Sequence, residues 1–176
     1  TEDNGQAQAH AHTDDVTTSR IDKLMRHMAQ EYIDCWDDMG GRAPGGTCRS
    51  GVQYLEKVGV DKWYTVPWKA RSLGCGASMR AMACGLRYHG THNRDMLVVC
   101  GIESGRLTHN HPTGFMGGVV SGAFTAFAIE DIPVHQWGYH LMNDLIPRSI
   151  HYLKTAHNGR DWSEHNEEAI RHFIDQ

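Results

Sequence analysis

Two loops carry the residue types from which a binding site could be assembled. The first, Gly74-Cys75-Gly76-Ala77-Ser78, feeds directly into the periodic run Met79-Arg80-Ala81-Met82-Ala83. Glycine lets backbone amides come close to a ligand, and the free N–H groups at a helix start attract anions. The second loop, from Ser104 to Gly114, gathers hydroxyls, imidazoles and an amide ahead of another apolar helix pattern. Two such loops, each opening a helix, imply a shared cleft. A plainer reading stands beside it, because a glycine loop before a helix also makes an ordinary tight turn.

The single residues keep the same double reading. Cys75 is a small packing residue or a thiolate, with no base evident beside it in sequence. His109 either holds its loop by hydrogen bonds or touches a ligand. His111 precedes Pro112 and is biased toward extended backbone, so a helical zinc pair with His109 is not expected. Arg80 and Arg106 can be buried salt-bridge residues or phosphate ligands.

The elements that must position these loops read as helices throughout. Residues 1–19 are polar, lack large apolar side chains and predict a loop or disordered head. From Arg20 to Met39, Ile21, Leu24, Met25, Met28, Tyr32, Cys35 and Trp36 recur at helical spacing, and the pattern stops at Gly40-Gly41. A short helix is expected over 48–58, an aromatic-rich irregular stretch over 59–71, and a helix over 77–88 with Met79, Met82, Ala83 and Leu86 on one face. Further helices are expected over 94–106, after Pro112, over 134–145, after Pro147 and after Ser163. No segment alternates as a strand would. The expected class is all-α.

Size and composition set outer bounds. A chain of 176 residues with 40% hydrophobic and 22% charged residues can hold one compact core. A net charge of −4 without a basic cluster argues against a nucleic-acid surface. Five cysteines with no CxxC pair predict neither a disulfide framework nor a zinc ribbon, which points to a reducing, cytoplasmic setting. The apolar run from Gly114 to Ile129 is short for a membrane span and reads as buried core. The thirteen histidines are scattered and show no ligand spacing on a common helix face.

Four motifs, GRAPGG at 41–46, GCGASMRAM at 74–82, ESGRLTHNHPTGFMG at 103–117 and QWG at 136–138, together resemble the ADP-ribosylhydrolase family. The resemblance runs in order from about Lys23 onward, and THNHPTG with QWG is similar to the ADP-ribosylarginine hydrolase branch and its close relative. It implies a compact all-α fold, of which residues 20–176 are the central part. It also implies hydrolysis of the N-glycosidic bond between ADP-ribose and protein arginine, two Mg²⁺ ions, ADP-ribosylated proteins and ADP-ribose as partners, and a monomer. By the resemblance, Gly45, Gly46 and Thr47 line the substrate cleft. Gly74, Cys75, Gly76, Ala77 and Ser78 lie along the diphosphate and distal ribose, and Ser104 and His109 face the same cleft. The alternative is a catalytically inactive relative acting as an ADP-ribose-binding or structural module.

The sequence departs from the family in two places. Leu73-Gly74 stands where the arginine hydrolases show a double glycine. No Asp-x-Asp-Ser/Thr metal motif lies in the C-terminal part. Thr13-Asp14-Asp15 matches the N-terminal metal motif in letters, which makes Asp14 and Asp15 candidate ligands. Their spacing to the next helix instead favours a variable loop over 1–19, with the metal aspartates upstream of Thr1. The expectation is therefore a central fragment, with its catalytic residues outside the chain and no hydrolase activity when isolated.

Overall fold

The computed structural model describes residues 3–156 and residue 171, with side chains from Ser19 onward. All regular elements among the described residues are helical. Helix α1 spans Asp3–Asp37, so helical backbone begins well before Arg20. Ala7, Ala9, Ala11, Gln6 and Gln8 favour helix, and no proline interrupts them. Their polarity removes a packing stripe but does not prevent helix, which is why composition alone read this stretch as a loop. In the second half of α1, Ile21, Met25 and Ala29 form the buried stripe, flanked by half-buried Leu24, Met28, Tyr32 and Ile33.

Helix α2, Gly46–Val58, packs Val52 and Leu55 into the same core. A 3₁₀ turn at Val60–Thr65 then carries Trp63 inward, where its indole N–H donates to Asp22 Oδ1 at 2.9 Å. The expected helix over 77–88 is two pieces, α3 (Gly76–Arg80) and α4 (Met82–Arg87), joined through Ala81. Its apolar face points outward: Met79, Met82 and Leu86 are exposed by 68%, 51% and 60%. The buried side is instead Ala77, Ala81, Cys84, Gly85 and Tyr88.

The reason lies in helix α6, Pro112–Ile129, against which α3 and α4 pack. A Cβ placed on Gly85 would stand 2.2 Å from the Gly122 carbonyl oxygen and 2.7 Å from Thr125 Cβ. Backbones this close exclude any side chain between them, so the smaller residues take the inner face and the larger ones face out.

Helix α5, Arg94–Arg106, runs beside α6 at the centre of the molecule and is buried on nearly every side from Leu97 onward. Phe115, Met116, Val119, Ala123, Ala126 and Phe127 of α6 complete this core. Composition alone would let α6 cross a membrane, but here it is the core helix. Two arginines pin the pair. Buried Arg94 donates to both carboxylate oxygens of Glu130 and lies 5.1 Å over the Phe127 ring. Arg106 donates to Glu103 Oε1 at 3.0 Å, which also accepts from the Tyr152 hydroxyl. Burial alone would raise the Glu130 carboxyl, but hydrogen bonds from Arg94 and the Gly90 N–H hold it below the usual range.

Beyond α6, a 3₁₀ turn at Val134–Gln136, helix α7 (Trp137–His140), a π turn at Leu141–Leu145 and helix α8 (Ile146–Thr155) follow without a break. Trp137 is half-buried against Phe124, and α8 packs on α5. The turn at Asn158-Gly159 and the last expected helix lie outside the described residues.

The small-residue contact gives a paired prediction. Gly85→Ala should lower stability by about 1–3 kcal/mol through overpacking against α6. Met82→Ser, despite removing a large apolar group, should change it by less than about 0.5 kcal/mol. Chemical denaturation of both variants checks the contrast.

Candidate functional site

His109 is the side chain on which the separate loops converge. Leu107, Thr108 and His109 continue the turn of α5, with Thr108 N and His109 N both donating to the Gly105 carbonyl. The imidazole is 2% exposed. A Cβ on Gly76 would lie 2.7 Å from His109 Cε1 and 2.8 Å from Cys48 Sγ, so only glycine admits the ring there. The same construction on Gly74 lies 3.4 Å from His109 Nε2. The glycine loop, the first turn of α2 and the histidine loop therefore meet around one ring.

Arg80 holds this meeting point. Its Nε donates to the Tyr32 hydroxyl at 2.8 Å, Nη1 to the Gly76 carbonyl at 3.0 Å, and Nη2 to the Ser104 carbonyl at 3.1 Å and to Thr108 Oγ1 at 2.5 Å. Its guanidinium also stacks 4.7 Å over the Tyr32 ring. One side chain thus ties α1, the glycine loop, α5 and the histidine loop together. Thr108 Oγ1 is in turn 2.8 Å from His109 Nδ1. Burial raises the Tyr32 hydroxyl above its ordinary range although Arg80 opposes it, so the phenol stays protonated.

Electrostatics make His109 a neutral imidazole. Burial first, and the Arg80 charge second, push its pKa down from 6.5 to about 4. His111 is likewise lowered by burial. Its backbone is extended at φ −148° and ψ 140°, as expected before Pro112. Its Nδ1 accepts from the Thr113 N–H at 3.2 Å and caps α6, while its ring lies 5.6 Å from that of Trp68. The two histidines therefore have separate roles.

The remaining site residues fall into groups. Gly74 and Cys75 are exposed above His109, Gly76 is half-buried, and Ala77 is buried against α5 and α6. Ser78 faces α6, where a Cβ on Gly117 would stand 2.5 Å from its hydroxyl. Gly45 and Gly46 are exposed at the start of α2, and a Cβ on either would meet nothing within 4 Å. Half-buried Thr47 gives its carbonyl to the Ser50 hydroxyl. Ser104 is 2% exposed, and its hydroxyl points to Gly101 O and the Cys84–Cys100 thiol pair, so it joins the network through its carbonyl.

Sequence reasoning missed Tyr32, which it took as part of an apolar stripe, and Cys48. It weighed Arg80 as a salt-bridge or phosphate residue, whereas its partners here are two carbonyls and two hydroxyls. Arg106 is a salt-bridge residue. A separate concavity of about 570 Å³ between α5 and α8 is lined by Asp95, Val98, Arg148, His151 and Tyr152. Arg148 there is already paired with Asp95 and Asp144, and none of the motif loops reaches it.

No group of three or more His, Cys, Asp or Glu able to hold a metal occurs among the described residues. The side chains of Asp14 and Asp15 lie outside them. The described residues thus do not fit a two-magnesium centre, and no step is assigned to a metal here.

Two outcomes follow from this geometry. Arg80→Lys keeps the charge but loses the planar fork, and should lower stability by about 2–4 kcal/mol in chemical denaturation. For His109 the fold favours the neutral form. Its contribution is complete above about pH 6.5, declines as pH falls, and is lost below about pH 4. His109→Gln should remove this part of the acid dependence when denaturation midpoints are measured against pH.

Comparison with known proteins now places the chain. The sequence pattern of the ADP-ribosylglycohydrolase family matches residues 6–174. The chain is similar to the ADP-ribosylhydrolase ARH1 of Dictyostelium discoideum, 35% identical over 162 residues that cover 89% of this chain and 41% of that protein. It is also 35% identical, over 118 residues, to a protein of Acanthamoeba polyphaga mimivirus named for ADP-ribosyl glycohydrolase activity; the match covers 67% of this chain and 22% of the viral protein. The chain therefore spans less than half the length of either relative. The match over nearly its whole length and the all-helical architecture lead to one conclusion: the chain belongs to the ADP-ribosylglycohydrolase family.

Proposed function

We propose that the protein to which this chain belongs hydrolyses the N-glycosidic bond between ADP-ribose and arginine on modified proteins, with Mg²⁺ as cofactor. Family membership supports chemistry on ADP-ribose linkages at the coarser level. The arginine substrate rests on the resemblance to the ADP-ribosylarginine hydrolases. Retention of GRAPGG and GCGASMR favours an active member over the inactive relative that shares THNHPTG and QWG, and the similarity to a protein named ADP-ribosylhydrolase is consistent with it. The observation that carries the reading is the convergence of the glycine loop, the start of α2 and the histidine loop on His109.

In this reading, Gly45, Gly46 and Thr47 border the substrate, Gly74 to Ser78 run along the diphosphate and distal ribose, and His109 lies beneath that loop. The N-terminus of α2 has no side-chain cap, so its first amides are open to an anionic oxygen. Oriented N–H groups bind a diphosphate without net positive charge, which reconciles an acidic chain with an anionic ligand. Magnesium, held by residues outside those described, would orient the ribose hydroxyls and the attacking water. The described residues contribute binding, orientation and water exclusion around the ligand. The protein is proposed to act as a monomer in a reducing, cytoplasmic setting, the setting suggested by five cysteines without a CxxC pair.

The test is release of ADP-ribose from an ADP-ribosylarginine peptide by the full-length protein, followed by mass spectrometry with and without chelator. The expected result is Mg²⁺-dependent release, at least about tenfold slower in His109→Gln. Binding of ADP-ribose without release would favour an inactive binding module instead. Release from serine-linked but not arginine-linked peptide would reject the arginine reading.

A further inference from the structure

The contacts of Thr108 restrict where the proton on His109 can sit. Arg80 has only donors, so Thr108 Oγ1 must accept from Arg80 Nη2. The hydroxyl has a single proton of its own. Among the described residues its other partner is His109 Nδ1 at 2.8 Å. If Nδ1 carried a proton, the hydroxyl would accept twice and its own proton, in a buried position, would have no acceptor, which is the costly arrangement. The consistent assignment has Thr108 donating to Nδ1, which places the imidazole proton on Nε2. That nitrogen lies under the backbone of the glycine loop, 3.0 Å and 3.4 Å from ideal Cβ positions on Gly76 and Gly74. It makes no hydrogen bond of its own among the described residues.

We infer that Arg80, acting through Thr108, is a positioning residue that fixes His109 as an Nε2–H hydrogen-bond donor aimed at the glycine loop. His109 then serves an acceptor oxygen of the ligand, of phosphate or carbonyl type, and does not serve as a general base. Its strongly depressed basicity agrees with this role. The identity of the ligand as ADP-ribose rests on the functional reading above. The proton assignment does not.

The experiment is a long-range ¹H–¹⁵N correlation spectrum of the ¹⁵N-histidine-labelled protein near neutral pH, with the His109 signals identified by their loss in His109→Gln. The expected wild-type spectrum shows the proton on Nε2 and Nδ1 as a hydrogen-bonded acceptor. In Thr108→Val the Nδ1 signal should move to that of an unbonded nitrogen, while Thr108→Ser keeps the wild-type pattern. Titration with ADP-ribose should shift the Nε2–H proton, with binding about tenfold weaker in Thr108→Val and restored in Thr108→Ser.

A wild-type proton on Nδ1 would overturn the inference even if neither Thr108 variant folded. So would an Nδ1 signal that does not change in Thr108→Val. The assigned tautomer without any ADP-ribose binding would support the relay and overturn the ligand and the hydrolase reading together.

Discussion

The structure depends on the guanidinium of Arg80. Four of its N–H bonds are used by partners from four separate segments, Tyr32 of α1, Gly76 of the glycine loop, Ser104 of α5 and Thr108 of the histidine loop. Bonds from a charged donor are worth about twice a neutral one, and the planar fork fixes direction as well as distance. The loops have little regular structure to hold them in register. A rigid multidentate donor at their common base supplies that register and sets the hydroxyl that faces His109. Lysine could supply the charge but not the four directions.

A second constraint, close backbone packing, decides where the arginine can stand. Helices α4 and α6 approach until Gly85 lies against the Gly122 carbonyl, and Gly76 makes room for the imidazole. These contacts leave no volume for large side chains, so Met79, Met82 and Leu86 turn outward. In the polar centre of the molecule the guanidinium tips are paired, while the buried Nε of Arg94 and of Arg106 has no hydrogen-bond partner among the described residues. Arg94 with Glu130 and Arg106 with Glu103 place charge beside aromatic rings without leaving a carboxylate alone. The α5–α6 pair thus forms a stiff base on which the loop from Leu107 to His111 sits.

Much of this was legible in the chain, and the exceptions have physical causes. The helical class, Ile21 and Met25 of the buried stripe, the core role of α6 and the extended backbone at His111 follow from periodicity and from the rule for residues before proline. Ala29 completes the stripe in place of Cys35, which is exposed. The two loops that meet at His109 were visible as glycine and histidine clusters. The outward face of α3 and α4 was not, because periodicity locates a stripe but cannot say that a neighbour's backbone comes too close for it. The early start of α1 was missed because polarity was taken as a lack of structure. The partners of Arg80 were hidden for another reason. Two are backbone carbonyls, and Tyr32 lies 48 positions away, so no local pattern marks them.

Family membership gives the chemistry its class, and the part proposed for the residues around Arg80 is to bind and orient the ligand. A crystal structure of the full-length protein with ADP-ribose bound tests this most directly. The account predicts a ligand oxygen within hydrogen-bond distance of His109 Nε2, with the diphosphate along Gly74 to Ser78 and the Arg80 contacts unchanged. A ligand bound away from the glycine loop, or a His109 ring turned so that Nε2 faces Thr108, would contradict it.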